Sequence, residues 1–170
     1  MYSIYAGIGS RKTPKEICEE FTLIGEKLAK MGLILRSGHA EGADTAFECG
    51  CDRAPFGRKE VYLPWKGFNG SDSTLYNIPD EAFRIADKYH PYFGNLKPAA
   101  QKLIARDCLQ VLGPDLKTPV NFVICWTENG EMKGGTAQAL KIAEAYRIPV
   151  FNFGDPEGRE NFNKTIISLE

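Results

Sequence analysis

Glycine, hydroxyl and cationic residues recur after the apolar runs of this chain. Gly7-Ile8-Gly9-Ser10-Arg11 follows the first run, Ser37-Gly38-His39-Ala40-Glu41-Gly42-Ala43-Asp44 follows the second, and Gly134-Gly135-Thr136 opens an alanine-rich stretch. Each combination suits an anion. Glycine brings backbone N–H groups close to an oxygen with no Cβ in the way, and a helix N-terminus adds partial positive charge. Ser10, Ser37 and Thr136 offer hydroxyls and Arg11 a charge. Turns and helix caps explain any one such loop about as well, so the decision falls to how the loops are placed.

The elements that must position them alternate in type. Residues 2–8 read as a buried strand. Thr13-Pro14-Lys15-Glu16 then reads as a capping box. Ile17, Phe21, Ile24 and Leu28 follow on one helical face, and Gly32 ends the helix. Residues 33–36 form a second strand, with a helix from the next loop to about Cys51, and residues 60–63 a third strand that stops at Pro64. After the irregular loop 64–79 come helices over about 79–89 and 98–112 and the most apolar strand, 120–127. A helix over 136–147 carries Ala139, Leu140, Ala143 and Tyr146 on one face; strand 149–153 and a tail helix complete the pattern.

Alternation of this kind predicts an α/β fold: a Rossmann-like, doubly wound, mainly parallel sheet with helices on both faces, and a single domain over 1–170. Ligands of such sheets bind outside the carboxyl ends of the strands, where the strand order reverses. The unusual loops all fall at that edge. Helix-to-strand connections at the opposite edge hold only single glycines, at 32, 57 and 113. An anion site at the carboxyl edge therefore explains the glycine–hydroxyl loops better than turns alone.

Other residues are weighed against plainer roles. Trp65 and Trp126 stand where a base could stack, or where an aromatic ring could close the core. His39, inside a glycine loop, suits a phosphate contact or a cap, whereas His90-Pro91 reads as a helix terminator. Asp44 suits a ribose hydroxyl or a brace for its loop, and bracing is favoured because an acid belongs in the first turn of a helix. Asp44 and Glu128 are the candidate catalytic carboxylates. No spacing suggests a metal site, and no cofactor is called for.

Net charge is −1, so nothing points to coating nucleic acid or membranes by charge alone. No apolar run reaches the ~20 residues of a membrane span. The five cysteines lack framework spacing and read as reduced thiols, which places the chain in the cytoplasm.

Three loop motifs also carry a resemblance. Gly9-Ser10-Arg11, Ser37-Gly38-His39-Ala40-Glu41-Gly42-Ala43-Asp44 and the stretch opening at Gly134-Gly135-Thr136 resemble the SMF/DprA–LOG superfamily over nearly the whole chain. That superfamily joins the DNA-processing protein A domain to the "lonely guy" phosphoribohydrolases, and the version here looks like its small stand-alone phage and bacterial members. The resemblance implies nucleotide or nucleotide-derived ligands at a phosphate-binding loop. It implies a binding set of Gly9, Ser10, Arg11, Ser37, Gly38, Gly42, Asp44, Gly134, Gly135 and Thr136. Arg106 stands where DNA-processing relatives carry Arg-Asn; here Asp107 follows it. The phosphoribohydrolase signature ends in a catalytic glutamate, and the matching position is Ala139, which cannot serve as an acid or base.

The expectation is a domain that binds a nucleotide or signalling-nucleotide derivative at the carboxyl edge through Gly9, Ser10, Arg11, Ser37, Gly38, His39, Gly42, Asp44, Trp65, Arg106, Trp126, Gly134, Gly135 and Thr136. It would act as a sensor, a sequestering protein or an atypical enzyme. An N-glycosidase and a single-stranded DNA mediator are the alternatives, with nucleic acid disfavoured as a partner. Relatives of the resembled family often dimerise, so a homodimer belongs to the same expectation.

Overall fold

The computed structural model describes residues 3–170. Five strands, β1 (Ile4–Gly7), β2 (Ile34–Ser37), β3 (Arg58–Val61), β4 (Phe122–Cys125) and β5 (Val150–Asn152), pair in parallel in the order β3-β2-β1-β4-β5. The connecting helices are α1 (Lys15–Lys30), α2 (Ala43–Arg53), α3 (Asp80–Tyr89), α4 (Pro98–Leu112), α5 (Ala137–Ala145) and α6 (Pro156–Ile167). Strand order runs outward from β1 through β2 and β3, then restarts at β4. The switch point is the β1–β4 seam, where Tyr5 pairs with Phe122 and Gly7 with Ile124.

Two apolar layers cover the sheet. One packs Phe21, Leu28, Phe47 and Phe162 of α1, α2 and α6 onto Tyr5, Leu35, Phe122 and Ile124. The other packs Ala82, Ala86, Cys108, Leu112, Ile142 and Ala143 of α3, α4 and α5 onto Ala6, Val123 and Cys125. Strands buried on both faces must be apolar along their whole length. β4 is buried at every position.

Helices α1 and α2 approach closely because glycines meet there. A Cβ on Gly50 would stand 2.0 Å from the Thr22 carbonyl oxygen, and one on Gly25 would stand 2.7 Å from that of Phe47. Backbone cannot yield as a side-chain tip can. Gly50→Ala is expected to destabilise the fold by roughly 2 kcal/mol or more, the upper range for overpacking. Urea unfolding measures this, and unchanged stability would mean the helices part without cost.

Three local expectations are corrected. The capping box does not form: the Thr13 hydroxyl donates to the Ser10 carbonyl, closing the loop after β1, and α1 begins behind Pro14 with no side-chain cap. The third strand lies two residues earlier than its apolar run. Its ladder forms on Arg58–Val61, whereas Tyr62 and Leu63 are buried and pair onward with Ser37 and Leu75. Burial and pairing come apart there because β3 is an edge strand. Tyr146 is 45% exposed, since α5 has ended at Ala145.

Candidate functional site

At the carboxyl edge, over the switch point, lies a cleft of about 630 Å³. Its rim comes from two loops. Gly9, Ser10, Arg11 and Lys12 follow β1, and Gly134, Gly135 and Thr136 lead into α5. Ala40, Glu41 and Asp44 join them from the loop and first turn after β2, and Phe68 and Asn69 from the loop after β3. The remaining wall is helix α4, with Ala100, Leu103, Ile104 and Asp107 at spacings of three, one and three along one face, together with Leu96 and His90 beside it.

The loops lock into one another through small residues. A Cβ on Gly9 would stand 2.6 Å from the Cβ of Ala43, so the first loop rests on the start of α2 only as glycine. Gly42 has φ +92, a left-handed conformation that favours glycine, and its Cα faces the Ser10 carbonyl. The Ser10 hydroxyl accepts the Lys12 N–H at 3.0 Å, which curls the β1 loop and directs Arg11 and Lys12 to solvent at the rim.

The floor is charged and buried. Arg106 is 5% exposed, and its Nη1 donates to the carbonyls of Gly38 at 2.6 Å and Tyr62 at 3.1 Å. Its Nε donates to Asp107 Oδ1 at 3.1 Å, and Phe68 lies over the guanidinium at 5.5 Å. Asp44 Oδ2 accepts the Gly38 N–H at 2.9 Å and the Gln110 side-chain amide at 3.4 Å. A Cβ on Gly38 would stand 2.7 Å from Arg106 Nη1 and would have to push the guanidinium aside. Burial pushes the Asp44 carboxyl up to about 7 against the pull of Arg106, with Glu48 and Asp107 adding to the rise and the Gly38 N–H opposing it. Burial likewise raises Asp107 to about 6, opposed by Arg106.

The fold has known counterparts. The molybdenum cofactor carrier protein of Chlamydomonas reinhardtii superposes with a TM-score of 0.56 at 20% identity, covering 98% of this chain and 87% of that one. DNA processing protein A from Helicobacter pylori, a structure concerned with single-stranded DNA binding, gives 0.58 at 17% identity over 96% and 72%. The Streptococcus pneumoniae protein of that name gives 0.58 at 17% over 97% and 56%. No family model matches the sequence, and no curated protein matches it significantly. The likeness is one of fold.

Of the residues singled out from sequence, Gly9, Ser10, Arg11, Asp44, Arg106, Gly134, Gly135 and Thr136 line the cleft. Ser37, Gly38, His39 and Gly42 stand behind its wall. Ser37 and Gly38 are buried, and His39 Nδ1 pairs with Glu48 Oε2 at 2.7 Å. Trp65 lies outside the lining with its ring against Phe68 at 5.4 Å, and Trp126 packs on the α1/α2 layer. Glu128 is exposed, bound to Lys133 at 3.1 Å and held below its ordinary pKa by that bond.

Sequence reasoning missed Phe68 and, apart from Arg106, the α4 wall. A signal existed for α4. Ala100, Leu103, Ile104 and Asp107 form an amphipathic stripe, but a stripe facing a cleft and one facing a core look alike in sequence.

Proposed function

We propose that the chain binds a nucleotide or nucleotide-derived small molecule in this cleft, as a sensor or sequestering protein. The observation that carries the reading is the convergence of the glycine–hydroxyl loops after β1 and before α5 on one cavity. That cavity has two cations at its rim and an apolar wall opposite. Its volume falls within the range of ligand sites, and its place at the switch point of a parallel sheet is where such ligands bind. Backbone N–H groups and the start of α5 suit a phosphate, with Arg11 and Lys12 supplying charge. Phe68, Leu96, Leu103 and Ile104 suit a planar apolar group.

The comparison proteins bind ligands of both sizes: a cofactor in one case, single-stranded DNA in the other, by their own descriptions. A net charge of −1 and a compact cleft favour the small molecule here.

Nucleoside mono-, di- and triphosphates should be screened by thermal shift and the best of them titrated by calorimetry. One class is expected to stabilise the fold. Arg11→Ala, at an exposed position, should weaken that ligand by about tenfold, the scale of one charge-assisted hydrogen bond. Released base, followed by chromatography, should stay at background, since Ala139 on the cleft wall carries only a methyl group. No shift with any nucleotide overturns the proposal, and robust release of base replaces it with the glycosidase.

A further inference from the structure

The floor of the cleft is not chemically finished. Asp44 is 4% exposed and Asp107 8%, and both line the cavity. One oxygen of each is engaged, Asp44 Oδ2 by Gly38 and Gln110 and Asp107 Oδ1 by Arg106. Among the described residues, Asp44 Oδ1 and Asp107 Oδ2 accept no hydrogen bond from the protein. Arg106 turns Nη1 to two backbone carbonyls and Nε to Asp107 beneath the ring of Phe68, and its Nη2 makes no hydrogen bond to the protein among the described residues. Both residues line the cavity, and neither free oxygen is among the fully buried unpaired atoms, so a ligand that fills the space and displaces water there has to offer them donors.

Depth separates Asp107 from the rim, where Asp44 opens α2 beside the first glycine loop. Helices α4 and α5 start at the carboxyl edge and run down into the molecule. Asp107 lies seven residues beyond Ala100, about 10 Å lower along α4 at the rise of a helix. The glycine loops and Arg11 stand at the rim, and Leu96 and Leu103 higher on the wall. A matching ligand therefore carries an anion and a flat apolar group on one side and hydrogen-bond donors on the opposite side.

Resting on the nucleotide reading above, we infer that the cleft selects ribonucleotides over 2′-deoxyribonucleotides, with the 2′,3′-diol on Asp107 and Asp44. A ribose 5′-phosphate unit has this shape. Base and phosphate project from one face of the sugar and the two hydroxyls lie at the other edge. Asp44 is the brace of the second loop as well as an acceptor, so Asp107 is the position that can be changed with the loop intact.

The test is calorimetric titration of matched ribo- and 2′-deoxyribonucleoside 5′-phosphates into the protein and its Asp107→Asn variant. In the variant the amide oxygen still accepts from Arg106, and the free oxygen becomes a donor. The ribo form should bind at least tenfold more tightly than the deoxy form. Asp107→Asn should bring that ratio close to one while leaving deoxy affinity within about twofold. Equal binding of the two sugars overturns the inference but leaves the nucleotide proposal standing. A ratio unchanged by Asp107→Asn, or equal weakening of both forms, also overturns it, because a merely structural aspartate would behave so. If nothing binds in either series, the underlying nucleotide reading is what fails.

Discussion

Replacing Arg106 with methionine is expected to destabilise the protein by about 3–5 kcal/mol, the cost of breaking a buried charge network by removing one partner. Methionine keeps much of the volume, so the loss isolates the guanidinium. Without it, Asp44 and Asp107 face each other's charge with no cation, and the carbonyls of Gly38 and Tyr62 lose their donor. Those carbonyls belong to the loops after β2 and β3, so the damage spreads from the floor to the wall of the cleft. Urea unfolding monitored by circular dichroism reads the effect. Arg11→Ala, at the exposed rim, serves as the comparison and should leave the midpoint nearly unchanged. A loss below 1 kcal/mol for Arg106→Met would mean the side chain serves a ligand and not the floor.

The second large effect is a stability that falls as pH rises. Asp44 and Asp107 hold their protons in the fold up to about 7 and about 6, whereas in the unfolded chain both release them near pH 4. Between those values the native state binds more protons than the unfolded state, so each added pH unit favours unfolding. One unit of displacement is worth about 1.4 kcal/mol per group. The midpoint of thermal unfolding should therefore drop by several degrees between pH 5 and pH 8, at about 2–4 °C per kcal/mol for a chain of this size. Glu26, Glu128 and Glu160, held below their ordinary values by lysines, act in the opposite sense but only at lower pH. Asp44→Asn should flatten the decline. A midpoint that holds steady or climbs over this range would show that the floor carboxylates are ionised without penalty.

The architecture was legible because burial wrote it in apolar runs. β4 reads as a strand since all four of its residues are covered on both faces, and α4 was placed from Pro98 to Leu112, where it lies. The loops were legible because glycines at 9, 38 and 42 answer to close approach or a left-handed backbone, and few plainer causes compete. What stayed hidden has a common character. Phe68 and the α4 stripe look like core residues until the tertiary fold leaves a space in front of them. Trp65 drew attention by its type, yet it lies beside Phe68, the aromatic residue that meets Arg106. The free oxygen of Asp107 depends on where Arg106 points, which no spacing in the chain reveals.

The pairing of β1 with β4 sets an order of events during synthesis. Tyr5 finds its neighbour Phe122 only after more than a hundred further residues have been made, while its other neighbour, Leu35, arrives early. At the usual pace of translation the first half of the sheet can therefore dock long before the second. Until β4 and α5 join, the layer over Ala6 and Ile8 lacks Val123, Cys125, Ile142 and Ala143. The cleft sits over that late seam and needs the loop before α5, so binding competence is acquired late by the nascent chain. A ligand present at that moment would act on the closing step of folding as well as on the finished protein.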